Sequence, residues 1–345
     1  MNQPMQLHLF DQLPAGFLEA EPETLHTCLP GPSLIRIEGE ASPPLFVSTL
    51  LHGNETSGFY AIRDLLRKYS EEKRPLPRKL ILFLGNIAAA EKNLRHLPDQ
   101  ADFNRIWSGK HYPEHHLAEQ VLKLAHDEPL FACIDIHNTT GKNPLFACIN
   151  RLDPHSIHLA EMFTSTLVYF NRPAEVLSRA FSNFCPSIVL EGGRSHSPAG
   201  TRTVAEFLEK VLHLTEIPDA PNGGSPPAIY HSVARIHVPE DSRISFNKEC
   251  VQKDFCFVED LEAMNFKEIP ENTLLGWRHN PAMNLSIIDE KGREVESRYI
   301  RYVENEIRLK QGVVPSMFTS LITAVHQDCL GYFMEPYQIP DPSLT

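Results

Sequence analysis

Up to residue 215, short runs of Leu, Ile, Val and Phe alternate with longer stretches whose apolar residues recur at three- and four-residue spacing. The runs Leu45–Leu51, Lys79–Leu84, Phe131–Ile136 and Ser187–Leu190 are continuous enough to predict strands buried on both faces. Ser57–Lys68, Glu114–His126, Ser156–Tyr169 and Thr203–Leu214 predict helices whose apolar stripes cover that sheet. Such alternation gives an α/β layer structure. The stretch from Glu216 to Pro227 combines four prolines with two glycines, which suits neither helix nor strand. Beyond it the texture becomes short alternating segments, such as Ile229–Val238 and Glu304–Leu309, broken by Gly, Pro, Asn and Asp. The expected organisation is therefore an α/β domain over 1–215 with an N-terminal β segment, a linker over 216–227, and a smaller β-rich domain over 228–345.

A chain of 345 residues exceeds the size at which single cores stop growing, which agrees with two domains. No apolar run approaches the length of a membrane span, and Met1–Leu13 lacks a basic segment followed by an apolar one, so a cytoplasmic protein is expected. The formal net charge of −12 argues against a nucleic-acid partner, whose phosphates need clustered Lys and Arg. Seven cysteines, an odd number with no CxxC and no Cys/His cluster, read as scattered buried thiols rather than a disulfide framework.

Chemistry enters with the polar residues that follow the apolar runs. His52, His137 and Glu191 each stand at the carboxyl end of a predicted strand, the edge of an open α/β sheet where ligand sites form. In His52-Gly-Asn-Glu55 the glycine permits a sharp turn, and a separation of three lets both side chains face one point. Two imidazoles and a carboxylate are a common zinc set with one position open for water, and His137 supplies the second imidazole. Alone, H-x-x-E recurs by chance in many chains, and a lone strand-end histidine is usually structural. Asp135, two residues before His137, shares its strand face and can hydrogen-bond a ligand imidazole, although a buried ion pair would explain it as well. Glu191, followed by Gly192-Gly193, places a carboxylate where it can take a proton from a water and deliver it to a leaving group. Asn104 and Arg105, with Arg95 ten residues earlier, offer a guanidinium fork and a neutral donor for a small anionic molecule. A His111-Tyr-Pro-Glu-His115-His116 cluster lacks a fourth ligand and reads as a helix entry.

His-Gly-Asn-Glu-Thr at 52–56, the segment from Asn86 through Arg95 to Asp102-Phe-Asn-Arg105, Asp135-Ile-His-Asn-Thr-Thr140 and Glu191-Gly together resemble the aspartoacylase and succinylglutamate desuccinylase family, relatives of the zinc carboxypeptidases. That resemblance spans most of residues 45–200. It implies a zinc-carboxypeptidase-like mixed sheet flanked by helices, a C-terminal all-β domain partly covering the site entrance, one zinc per chain, and hydrolysis of the amide bond of a small N-acyl amino acid. Carried over, His52, Glu55 and His137 become metal ligands and Glu191 the general base and acid. Arg105 with Asn104 binds the substrate carboxylate, Arg95 assists the carbonyl, and Arg179 is a second substrate arginine. Gly192-Gly-Arg-Ser-His-Ser-Pro198 departs from the family's pattern, and the loop from Arg95 to Arg105 is longer than in aspartoacylases. Acyl group and amino acid stay open, as do the oligomeric state, a homo-oligomer included, and a substrate role for Tyr302, for which a place in the β-domain core is the plainer expectation. Two alternatives remain: a metallocarboxypeptidase acting on peptides and a non-catalytic zinc-holding binding protein.

Overall fold

The computed structural model describes residues 5–109, 112–219, 226–246, 250 and 252–339. His111 of the histidine cluster and residues 220–225 of the proline-rich stretch lie outside the described residues. The chain divides into two units: Met1–Asn138, Leu145–Leu167 and Arg172–Pro227 form the first, and Thr139–Pro144, Val168–Asn171 and Ala228–Thr345 form the second.

In the first unit the strands are β1 (His8–Phe10), β2 (Ser33–Ile37), β3 (Gly39–Thr49), β4 (Leu76–Leu84), β5 (Ala132–His137), β6 (Phe146–Ile149) and, beyond β7 (Thr166–Tyr169), which straddles the division, β8 (Ser187–Glu191). Their order is β1-β2-β4-β3-β5-β8-β6. β4, β3, β5 and β8 run parallel, while β2 is antiparallel to β4 and parallel to β1, and β6 is antiparallel to β8. The sheet is therefore mixed, as expected, and its parallel centre is continuously apolar because both faces are covered. Phe46, Val47, Leu82, Phe83, Ile134 and Ile188 are all fully buried.

The α-helices of this unit are α1 (Ser57–Glu71), α2 (Ile87–Glu91), α3 (His115–His126), α4 (Pro154–Glu161), α5 (Leu177–Phe181) and α6 (Pro198–Leu212). In α1, Phe59, Ile62, Leu66 and Tyr69 recur at helical spacing and are buried. The expected helix over Ser156–Tyr169 is a correction: α4 ends at Glu161 and β7 begins at Thr166. Thr164, Thr166 and Val168 are β-branched and favour extended backbone, and the Thr164 hydroxyl donates to the Leu145 carbonyl at 3.1 Å instead of serving a helical turn. The helix expected from Thr203, α6, begins earlier because Ser197 caps it, accepting from Gly200 N, with Pro198 in its first turn.

In the second unit, β9 (Ala228–His237) pairs with β13 (Ser286–Asp289) and β17 (Gly331–Tyr337), and β17 pairs with β16 (Val314–Ser316). A second sheet has the order β10 (Ile244–Ser245), β11 (Phe255–Phe257), β12 (Leu274–Arg278), β15 (Glu306–Leu309) and β14 (Ile300–Val303). Phe255, Phe257, Ile287, Ile307 and Phe333 form its core, against which Tyr302 packs while its hydroxyl accepts from Leu285 N. No described helix is long and apolar enough to cross a membrane.

Five cysteines are unpaired, and Cys133, Cys148, Cys185 and Cys329 among them are buried. Cys250 and Cys256 form a disulfide, correcting the expectation of thiols throughout; their Cα atoms lie 5.9 Å apart at a sequence separation of 6. Burial pushes the Cys185 thiol up to about 12 and that of Cys133 well above the ordinary thiol range. At pH 8 only about one Cys185 in 10⁴ is a thiolate. Native protein treated with iodoacetamide at that pH should leave Cys133 and Cys185 unmodified in peptide mass spectra, with rapid labelling only after unfolding. Equal labelling rates in both states would show that these thiols open readily to solvent.

Candidate active site

Three parallel neighbours, β3, β5 and β8, deliver the site from their carboxyl ends. β3 stops at Thr49, and the chain turns through Leu50, a fully buried residue held at φ 56°, before reaching His52. A left-handed leucine costs about 1–2 kcal/mol. Two backbone bonds fix this turn: Gly85 N donates to Thr49 O at 3.1 Å and Asn86 N to Leu50 O at 2.6 Å. Gly53 is required for a different reason from the one the sequence suggests. A Cβ there would stand 2.2 Å from the backbone of Ala89 and Ala90 in α2, so the need is close approach rather than a left-handed turn.

His52, Glu55 and His137 converge, with one ligand atom from each within 4.8 Å of the others, and all three are buried. Glu55 stands between the imidazoles: Oε1 is 2.8 Å from His52 Nδ1 and Oε2 is 2.8 Å from His137 Nδ1. The far nitrogen of each ring meets a second acid. His52 Nε2 lies 2.9 Å from Asp102 Oδ1, and His137 Nε2 lies 3.0 Å from Asp135 Oδ2. Donation from Nε2–H to these carboxylates leaves a lone pair on each Nδ1 aimed at the Glu55 anion. A lone pair facing an anion at 2.8 Å needs a cation between them, a proton or a metal ion. The donor set thus fits a divalent metal, with the outer carboxylates fixing ring tautomer and orientation.

Electrostatics agree. Burial alone would raise the Glu55 carboxyl, but the His52 and His137 imidazoles hold it far below the usual range. Burial opposes a charge on His137, yet Asp135 and Glu55 push its pKa well above that of a free imidazole. Glu191 ends β8 directly opposite His137 in register and is 7% exposed. Burial pushes its carboxyl up to about 8, with Glu55 and Asp135 adding and His137 opposing, and its Oε2 is a buried acceptor without a hydrogen-bond partner.

The other expected site residues are placed as follows. Arg95 directs Nε and Nη2 onto Asp102 Oδ2 at 3.1 and 2.8 Å, and its Nη1 is 3.7 Å from Glu55 Oε1. Asn104 accepts from Leu177 N through Oδ1 at 3.1 Å, and its Nδ2 is 3.4 Å from His137 Nε2. Arg105, in the same short 3-10 turn, donates to the Asn104 carbonyl at 2.9 Å and helps hold the Asp102 carboxyl low. Arg179 lies on α5 and lines a cleft with Trp107, Leu122, His126 and Phe184. His115 donates through Nδ1 to the Ile106 carbonyl at 2.7 Å, and its Nε2 lies 3.4 Å from Glu119 Oε1, a local helix arrangement.

Two residues of the site carried no assigned role in the sequence reading. Asp102 joins Arg95 to His52, and its signal is the Asp-x-Asn-Arg run, in which the sequence points to roles for Asn104 and Arg105 alone. Asn138 accepts from Ser57 N at 3.1 Å, donates to Ser57 Oγ at 3.0 Å and to Gly193 O at 2.8 Å. It thereby ties the start of α1 to the loops after β5 and β8. Asp102→Asn is expected to weaken metal affinity about 10- to 100-fold, the usual effect of losing a ligand's outer carboxylate, as measured by competition with a chelator. A change of less than about threefold would mean that Asp102 serves only Arg95.

Residues 41–217, just over half of the chain, match the model of the succinylglutamate desuccinylase/aspartoacylase catalytic domain. The chain belongs to this family. A succinylglutamate desuccinylase of Burkholderia orbicola is 34% identical over 74 residues, a segment covering 21% of either chain. The curated relatives are thus matched over only about a fifth of their length. Among solved structures, the succinylglutamate desuccinylase of Chromobacterium violaceum has a TM-score of 0.57 at 15% identity, covering 87% of both chains. That of Vibrio cholerae has a TM-score of 0.58 at 12% identity, covering 89% of this chain and 87% of the other. At such identities the likeness establishes a shared fold, and the His52, Glu55, His137 and Glu191 cluster falls within the family's catalytic-domain match.

Proposed function

We propose that this chain is a zinc-dependent deacylase that hydrolyses the amide bond of a small N-acyl amino acid. The observation that carries this reading is the convergence of His52 Nδ1, His137 Nδ1 and the Glu55 carboxylate beside the partnerless, buried Glu191 oxygen. Family membership and the mixed-sheet fold support the same chemistry.

Zinc held by these three groups would supply Lewis acidity and lower the pKa of a bound water toward about 7. Glu191 takes the proton of the attacking water and returns it to the departing amine, for which a carboxyl raised by burial is suited in both directions. Asp102 and Asp135 hold the ligand imidazoles in the tautomer that presents Nδ1. Arg105, with Asn104 setting its turn, receives the carboxylate of the substrate. Arg95 stabilises the Asp102 anion and so acts on the substrate through the ligand shell, while Arg179 is a more remote candidate at its own cleft. The net charge of −12 suits a small-molecule partner rather than a polyanion.

A hydrolysis screen across acetyl- and succinyl-amino acids, with metal quantified in the same preparation, should show amino-acid release by zinc-loaded protein. Turnover confined to blocked dipeptides would overturn the reading in favour of a carboxypeptidase.

A further inference from the structure

Among the described residues only two groups of three metal-type side chains converge, and the second lies in the β-rich unit: Cys250, Cys256 and His279. Cys256 occupies β11, which pairs in parallel with β10 and antiparallel with β12, where it faces Trp277. His279 follows β12 by one residue, and its N–H donates to the Asp254 carbonyl at 2.8 Å, extending the ladder. Period-two alternation then puts Cys256 and His279 on one face of that pair, as diagonal neighbours. Cys250 lies at the same point, its carbonyl accepting from Lys253 N at 3.3 Å. The result is two sulfurs and one imidazole nitrogen all within 4.8 Å of each other.

We propose that Cys250, Cys256 and His279 form a second metal site, separate in chemistry from the first, which holds a borderline-soft ion such as Zn²⁺ when the two cysteines are reduced and is closed by their disulfide when they are oxidised. Two thiolates and an imidazole form a three-ligand set that leaves a fourth position open. Ligand atoms of one tetrahedral ion are about 3.3–3.8 Å apart, so once the Cys250–Cys256 bond is reduced the two sulfurs must part and the exposed His279 side chain adjust for all three to close onto an ion. The donors also differ in kind: sulfur and nitrogen here, against nitrogen and oxygen at His52, Glu55 and His137. Opening the site with a phosphine reductant is balanced chemically. The phosphine takes the oxygen of one water, the S–S bond accepts two electrons, and two thiols form whose protons leave when the metal binds.

Because only the second site contains sulfur, Co²⁺ distinguishes the two. Full-length, phosphine-reduced, metal-free protein is titrated with Co²⁺ after the reductant is removed anaerobically. The expected result is two bound equivalents, one of which brings a thiolate-to-cobalt charge-transfer band in the near ultraviolet. Cys250→Ser should abolish the band while leaving one equivalent bound, and His279→Ala should weaken the band-forming equivalent at least about tenfold. His279 is exposed, so His279→Ala carries the test even if Cys250→Ser fails to fold. The proposal is overturned by a reduced protein that binds only one, band-free equivalent, by a band that survives in Cys250→Ser, or by a band-forming affinity unchanged in His279→Ala. Loss of the band-free equivalent alone would instead count against the site at His52, Glu55 and His137.

Discussion

Glu191→Gln is expected to lower kcat for N-acyl amino acid hydrolysis by at least about 10²-fold while bound metal and the thermal transition stay in place. Glutamine matches the carboxyl in shape, and burial at this position disfavours a charge, pushing the carboxyl up to about 8, so losing the charge should cost the fold little. Exchange at a 7%-exposed position should therefore cost little stability. What the amide cannot do is accept the water's proton, and Oε2, which no other group engages, is the atom removed from service. The effect should fall on kcat, with KM moving much less, because Glu191 is not one of the groups assigned to the substrate carboxylate. A variant that keeps its metal and retains turnover within about threefold of the parent chain would remove Glu191 from the mechanism. Unchanged binding of acyl amino acids with no turnover in either protein would favour a binding role for the whole chain.

The centre of the fold was legible because buried parallel strands write themselves as unbroken apolar runs, and Lys79–Leu84 falls inside the observed Leu76–Leu84. The flanking antiparallel strands were not. β2 and β6 are short, and their residues, Ser33-Leu-Ile-Arg-Ile37 and Phe146-Ala-Cys-Ile149, carry no clear period. Ser156–Tyr169 was misread because helical spacing and a helix followed by a β-branched strand share the same apolar positions over a short window. In the site, residue types that chelate were visible, whereas residues that position them were not. Asp102 acts on His52 across fifty residues, and Asn138 acts on Ser57 across eighty-one, separations at which spacing carries no information. The Cys250, Cys256 and His279 group leaves no mark in the sequence for the same reason: strand register, not sequence proximity, brings His279 to the sulfurs.

Removing the metal should abolish turnover, to below about 1% of the loaded protein, with recovery on returning one equivalent of zinc to the His52 site. Glu55→Ala should reproduce the loss without a chelator. Glu55 uses both oxygens between the two Nδ1 atoms, and Asn138 N also donates to its Oε2 at 3.1 Å, so its removal opens the middle of the ligand set. The remaining imidazoles keep their outer acids, Asp102 and Asp135, which orient them but cannot replace the missing donor. Metal loss should also lower the thermal midpoint. An ion present at a thousandfold excess over its Kd stabilises by about 4 kcal/mol, which is several degrees for a domain of ordinary size. Chelated wild type and Glu55→Ala should therefore unfold at similar temperatures, both below the zinc-loaded chain by calorimetry. Because the second proposed site has its own sulfur ligands, the Co²⁺ thiolate band of reduced Glu55→Ala should persist while hydrolysis is gone. Full activity in protein shown by elemental analysis to carry no metal would refute the metal-dependent reading outright.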